Sequence, residues 1–148
     1  MDIQTIEQDL RDAMRNRDET RKRTLRMVIA AVKMAQIEKQ SPLDESGLMA
    51  ILQKEIKTRR ESILEAQKAK RDDLVVATEA EVAILETYLP KQLSHDELEI
   101  MVQNAIVEAG AATPADMGKV MKILVPRLQG RAPGDQVSQM VRQHLQKA

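Results

Sequence analysis

The side chains that could perform acid–base or nucleophilic chemistry are few and far apart in this sequence. His95 and His144 are its two histidines, and cysteine is absent. The lack of cysteine excludes thiolate nucleophiles and thiolate metal ligands. The serines do not occur in the G-x-S-x-G pattern of a nucleophile elbow, and the five glycines form neither a Walker phosphate loop nor a dinucleotide fingerprint. We therefore predict no catalytic residue, no metal site and no cofactor.

Arginine and lysine are the side chains best suited to hold a partner, because they bind phosphate groups whatever the nucleotide sequence. They concentrate in residues 15–26 and 57–71. The secondary basic surface that we predict from these stretches consists of Arg15, Lys22, Arg26, Arg59, Arg60 and Arg71. The alternative is a set of solvated helix faces, on which acids such as Glu19 and Glu55 pair with cations three or four residues away. Because 23 basic and 23 acidic residues balance, a uniformly basic protein is excluded.

Gly118 interrupts a well-defined helical pattern, at a cost of about 1 kcal/mol relative to alanine. Either two helices pack closely at this glycine, or the glycine belongs to a smooth basic surface with Lys119 and Lys122 on which an RNA backbone lies. Gly130 and Arg131 would extend such a surface if two helices run antiparallel. These five residues are the predicted RNA contacts.

The aromatic content restricts the kind of nucleic acid. Tyr88 is the only aromatic residue, whereas proteins that bind single strands stack bases on several aromatic side chains. We therefore expect any bound RNA to be folded and to be recognised by its shape and backbone.

Composition and periodicity predict an all-α protein of about seven helices. Helix-forming residues dominate, and no stretch alternates as a β-strand does. The helix expected at about residues 18–40 should bury Leu25 and Val32, with Met27 and Met34 widening its apolar face. Pro126 is expected to kink or shorten its helix.

Helix boundaries are clearest after residue 90. Ser94 and Glu97 have the spacing of a capping box, and Gly110 suits the left-handed end of the helix that begins there. Thr113 and Pro114 should open the next helix. Together with the junction around Tyr88–Ser94, these signals predict a helical N-terminal domain at residues 1–90 and a small three-helix domain at residues 91–148.

The chain carries no apolar run long enough for a membrane span or a signal peptide. We therefore expect no membrane partner and a cytoplasmic location.

Several segments, taken together and in this order, resemble the YqeY-like proteins. They are Leu25-Arg26-Met27, Arg60-Glu61-Ser62, Arg71-Asp72-Asp73-Leu74, the run from Glu79 to Leu93, Asp116-Met117-Gly118-Lys119-Val120-Met121 and Gly130-Arg131. The C-terminal part is also similar to the tail of the B subunit of the glutamine-dependent aminoacyl-tRNA amidotransferase.

This resemblance implies a non-catalytic accessory protein that associates with folded tRNA. In the amidotransferase the tail contacts tRNA, while the chemistry lies in a kinase-like cradle and a separate amidase subunit, neither of which this sequence contains. A label of carbon–nitrogen ligase with glutamine as amido-N-donor would describe the relative.

Two other functions stay open. The chain could be a protein-interaction module that binds an aminoacyl-tRNA synthetase or amidotransferase subunit through its apolar N-terminal helices. It could also be a small enzyme of an unrecognised kind, which would require a cleft lined by perturbed titratable groups.

Two positions depart from the family pattern. Ala132-Pro133-Gly134 stands where an Ala-Asp-Gly sequence is usual, which removes a helix-capping carboxylate. Ala66 occupies a position that is often aromatic, which indicates a core repacked with smaller side chains.

Overall fold

The structure is a computed structural model that describes residues 2–147. Met1 and Ala148, the outer ends of the two predicted domains, lie outside the described residues. Within residues 2–147 the seven α-helices are α1 (Ile3–Arg15), α2 (Glu19–Lys39), α3 (Glu45–Lys68), α4 (Asp72–Glu86), α5 (His95–Ala109), α6 (Met117–Leu128) and α7 (Gly134–Gln146). A short 3-10 turn, Pro114–Asp116, precedes α6, and no strand occurs in residues 2–147. The prediction of an all-α protein is confirmed.

Local hydrogen bonds explain where the helices begin. The side chains of Asp2, Asp18 and Asp44 each accept a backbone N–H in the first turn of α1, α2 and α3, which satisfies donors that have no partner inside the helix. Ser94 and Glu97 form the predicted capping box of α5, and Gly110 ends that helix with a φ of 63°.

Internal contacts divide the chain between Leu89 and Pro90 into two compact units. In the first unit, α1 packs along α2 and α3 along α4, while α2 also contacts both α3 and α4. The core of this unit is built from aliphatic side chains. Its largest fully buried members are Ile6, Leu25, Val28, Val32, Leu52 and Leu85.

In the second unit, α5, α6 and α7 pack around their own aliphatic core. The largest fully buried side chains are Val102, Val120, Leu124, Val137, Val141 and Leu145. Because the buried positions of α6 are Val120, Leu124 and Leu128, the opposite face of this helix is left in solvent.

The structure differs from the sequence-based expectations at several places. Met27 and Met34 do not widen the buried face of α2, because they are 50% and 64% exposed. Pro126 lies inside α6, which continues to Leu128. Helix α4 ends at Glu86, four residues before Pro90, so this proline is not what ends the helix.

Pro133 and Ala66 are two positions that the sequence analysis singled out. Pro133 occupies the N-cap of α7 and provides no side-chain hydrogen bond, so this helix begins without the capping carboxylate that an aspartate would supply. Ala66 is buried at the C-terminal end of α3. Among the described residues, no helix combines the length and apolar character needed to cross a membrane.

Candidate nucleic-acid interface

A rigid turn positions the first residues of α6. The Asp116 carboxylate accepts hydrogen bonds from the backbone N–H groups of Ala112 at 3.0 Å and Thr113 at 3.3 Å. The bond from Ala112 is the main reason that the pKa of Asp116 lies below its ordinary value of 3.8. An ionised Asp116 therefore fixes the direction in which α6 leaves the turn.

Gly118 lies in the first turn of α6 and faces solvent. Apart from its chain neighbours and the backbone of α6, no atom of residues 2–147 lies within 4 Å of a Cβ atom built on this glycine. The hypothesis that two helices pack closely at Gly118 is therefore wrong. Since nothing in the described part of the chain requires a glycine here, its helix-propensity cost has no compensation in the structure.

Lys119 and Lys122 follow this open position in α6. Lys122 is four residues beyond Gly118 and thus on the same helix face, and it is exposed. The Lys119 Nζ atom lies 3.8 Å from Asp116 Oδ1, with the lysine side chain 72% exposed. A pair this exposed contributes little, so both ammonium groups can be reached by an anion. We call Gly118, Lys119 and Lys122 the α6 patch.

Gly130 and Arg131 lie at the other end of α6. The helix has 12 residues, so its ends are roughly 18 Å apart at 1.5 Å per residue. Gln129 and Gly130 have φ values of 49° and 76°, a left-handed geometry that ends the helix. The structure therefore does not bring Arg131 next to the α6 patch.

Arg131 instead fixes the segment that precedes α5. Its Nε–H donates to the Lys91 carbonyl at 3.0 Å, and its own carbonyl accepts the Leu93 N–H at 2.8 Å. Gln92 adds a bond from its side-chain amide to the Gly130 carbonyl at 3.2 Å. These contacts place the exposed Lys91 beside Arg131. Lys91 is a candidate that the motif reasoning missed, because only the tertiary contact joins it to Arg131.

The secondary basic surface of the first unit is largely neutralised. Lys22 pairs with Glu19 at 2.8 Å, and Arg71 pairs with Asp73 at 3.0 Å. Arg60 pairs with Glu86 across α3 and α4. Two further members keep accessible charges: Arg15 lies 3.9 Å from Asp12 with its side chain 75% exposed, and Arg26 contacts the sulfur of Met14 at 3.7 Å. Lys22–Glu19 and Arg15–Asp12 have the three-residue spacing of the alternative interpretation, in which cations and acids share a solvated helix face.

Arg59 has to be removed from the predicted surface. It is only 5% exposed, and its guanidinium contacts Glu55 at 2.7 Å and Glu81 at 3.1 Å. A buried cation needs such partners because its desolvation is costly. Arg59 therefore joins α3 to α4 and is not available to a phosphate.

A cleft of about 380 Å³ lies between the start of α5 and α7. Its floor includes Leu98 and Met140, and three glutamines of α7 form part of its wall. Among the described residues that line it, His95 is the one ionisable side chain, and the Ser94 hydroxyl already accepts the Glu97 N–H. The lining therefore offers no base paired with a nucleophile.

The architecture is that of a helical protein whose second unit exposes cations at both ends of one helix. Comparison with known families identifies the family. The family model of YqeY-like proteins matches residues 3–145, and the chain belongs to this family. The expected family is thereby confirmed.

Curated relatives include the protein "Altered inheritance of mitochondria protein 41, mitochondrial" from several fungi. The protein of Kluyveromyces lactis is 36% identical over 117 residues, which cover 76% of this chain and 63% of the relative. That of Lachancea thermotolerans is 33% identical over 116 residues, covering 76% and 62%. The chain thus matches less than two thirds of the length of these relatives.

These relatives contradict the expected cytoplasmic location, because their names describe them as mitochondrial. The expectation was wrong for a physical reason. The lack of a long apolar run bears on membrane spans, but it does not determine the compartment in which a helical protein works.

Proposed function

We propose that the protein is a non-catalytic accessory protein that binds folded tRNA through its second unit. The observation that carries this proposal is Gly118, a helical glycine that is open to solvent beside two exposed lysines. A missing side chain lets a sugar–phosphate backbone approach the helix closely, and the two ammonium groups then contact phosphates.

Two separated anchors suit a folded RNA. The α6 patch contacts one part of the RNA backbone. Lys91 and Arg131 contact another part, together with Gly130, which lies between α6 and α7. Recognition by shape and phosphate follows from the composition, since Tyr88 is the only aromatic side chain available for stacking. The proposal includes a relationship between the C-terminal part and the tail of the amidotransferase B subunit, and in it residues 1–90 and 91–148 are separate domains.

The test is the binding of total folded tRNA by the full chain across a salt series. In the Lys119→Ala/Lys122→Ala variant, the slope of log affinity against log salt should decrease by about 1 for each phosphate that the variant no longer binds. Lys39→Ala/Lys54→Ala removes two exposed lysines of the first unit and serves as the matched control. Absence of binding by the wild-type chain at low salt would exclude the proposal.

A second candidate function is the binding of a protein partner, such as a synthetase or amidotransferase subunit, through the N-terminal helices. One observation favours it: Met34 and Ile37 of α2 are 64% and 75% exposed. Capture of such a partner should tolerate salt, because burial of apolar surface would drive it.

A further inference from the structure

Helix α2 is apolar on two opposite faces. Its inner face buries Leu25, Val28 and Val32. Its outer face carries a second apolar series at spacings of three and four residues. This series, which we call the α2 seam, consists of Met27, Ala30, Met34 and Ile37.

The α2 seam is open to solvent. Ile37 and Met34 are the most exposed of its large side chains, and Met27 is half exposed. The seam spans ten residues, roughly 15 Å of helix. Its spacing is that of the a and d positions of a coiled coil, so the partner that fits it best is another helix. Methionine side chains suit such a surface because they adapt to different partners.

The charges beside the α2 seam determine what kind of helix can bind there. Arg26 and Lys33 directly precede Met27 and Met34, one heptad apart, so both lie along the same edge of the seam. Neither has a carboxylate partner in the described part of the chain, and Arg26 contacts only the Met14 sulfur there. The other edge carries Ala31 and Glu38.

We propose that the α2 seam binds an amphipathic helix of a partner protein with an acidic edge. Apolar side chains of that helix would pack on Met27, Met34 and Ile37, and its carboxylates would pair with Arg26 and Lys33. This inference deepens the second candidate function by naming the surface and the chemistry of the partner. It does not depend on tRNA binding.

A second copy of this chain matches the seam less well. An antiparallel pairing of two α2 helices would place the cationic edges against each other, which is repulsive. A parallel pairing would offer only Glu38 to the two cations. A separate acidic helix neutralises both cations.

The experiment uses the full chain and two synthetic helical peptides of about 20 residues. Both peptides carry leucine at the a and d positions, and they differ only in having glutamate or lysine at the flanking positions. Binding is followed by the NMR shifts of the methionine methyl groups. We expect the acidic peptide to bind at least tenfold more tightly than the basic one, with shifts at Met27 and Met34.

Three variants define the site. Met34→Ser/Ile37→Ser should weaken the acidic peptide at least tenfold, and Arg26→Glu/Lys33→Glu should reverse the preference between the peptides. Ile100→Ser/Val107→Ser changes two equally exposed apolar residues of α5 and should leave binding unchanged. Thermal unfolding of each variant checks that the variant is still folded.

Three outcomes would overturn the inference. They are equal binding of the two peptides, acidic-peptide binding that survives the seam variant, and concentration-dependent dimerisation through α2, which would assign the seam to a second copy. Binding of tRNA is measured with the same variants. Failure of the wild-type chain to bind the acidic peptide, together with intact tRNA binding, would reject this inference alone, whereas the reverse result would reject only the tRNA proposal.

Discussion

The Tyr88 hydroxyl donates a hydrogen bond to the Asp9 carboxylate, 79 residues away in the sequence. The only aromatic residue of the chain thus joins the segment after α4 to α1. Partial burial is the main cause that raises the pKa of Tyr88 above its ordinary value of 10, and the hydrogen bond to Asp9 adds to this effect.

Tyr88→Phe is expected to lower the free energy of unfolding by about 1 kcal/mol, because it removes one hydrogen bond to a charged group at a half-exposed site. Urea unfolding would measure this decrease, and Asp9→Asn in a double-mutant cycle would assign it to the pair. Because the pKa of Tyr88 is raised on folding, the stabilisation is complete below pH 10 and decreases as the pH rises above it. An identical alkaline limb for Tyr88→Phe and wild type would contradict this assignment.

Gly118→Ala is expected to change stability and RNA binding in opposite directions. The added methyl group meets no neighbouring helix among the described residues, so α6 should gain about 0.5–1 kcal/mol. The same methyl group would hold an RNA backbone away from α6, and tRNA affinity should fall. Thermal unfolding and a tRNA titration of the same preparation provide the two readings. A more stable variant with unchanged tRNA affinity would mean that RNA does not approach Gly118.

Arg59→Met should destabilise the protein by about 2–3 kcal/mol, because it leaves Glu55 without its cation and Glu81 with only the exposed Arg23, 3.2 Å away, in a partly buried site. Arg60→Met is the matched control. Its pair with Glu86 is about half exposed, so its removal should cost less than about 1 kcal/mol. Both values come from urea unfolding. Since Arg59 is inaccessible to phosphate, the tRNA affinity of the folded Arg59 variant should equal that of the wild type.

Glu97 makes the stability of α5 dependent on pH. Its carboxylate accepts the Ser94 backbone N–H at 2.9 Å, and this bond is the main cause that holds the pKa of Glu97 below its ordinary value of 4.5. A pKa lowered on folding stabilises the protein above the unfolded value, and the effect is lost as the pH falls through the folded one.

The advantage of the wild type over Glu97→Gln should therefore be present at neutral pH and disappear below about pH 4.5. Acid unfolding, monitored by circular dichroism, measures this stability difference, and Glu61→Gln serves as a control at an exposed glutamate. A constant difference between wild type and Glu97→Gln across this range would show that the capping carboxylate is not the titrating group.

The division between Leu89 and Pro90 leads to a prediction about folding. A fragment of residues 90–148 should fold alone, because α5, α6 and α7 share a core of their own. Its size is close to the lower limit for an independent domain, so its melting temperature should be lower than that of the full chain. A fragment that lacks cooperative thermal unfolding would show that residues 91–148 are not an independent domain.

Local signals predicted most of the helical architecture. The capping box of Ser94 and Glu97 and the left-handed Gly110 depend on neighbours in sequence, and both occur as expected. Met27 and Met34 show the limit of such reasoning. A helical period identifies apolar faces, but it does not tell which of two faces has a neighbouring helix.

The candidate phosphate-binding residues differ in exposure, and the sequence does not show this difference either. Lys119 and Lys122 lie on exposed helix surface, whereas Arg59, although part of an equally basic stretch, is buried between carboxylates. Charge runs in a sequence do not distinguish these cases, because a carboxylate such as Glu81 comes from another helix.

The sequence by itself determined the helix types, most of their ends, the family and the absence of cysteine chemistry, since these depend on residue identity and on spacings within one helix turn or one motif. Only the tertiary structure decided that Gly118 is open, that Arg131 holds Lys91, that Arg59 is a buried ion-pair partner and that the α2 seam faces solvent. The physical reason is that burial and pairing depend on contacts between residues distant in sequence, which the packing of the helices creates.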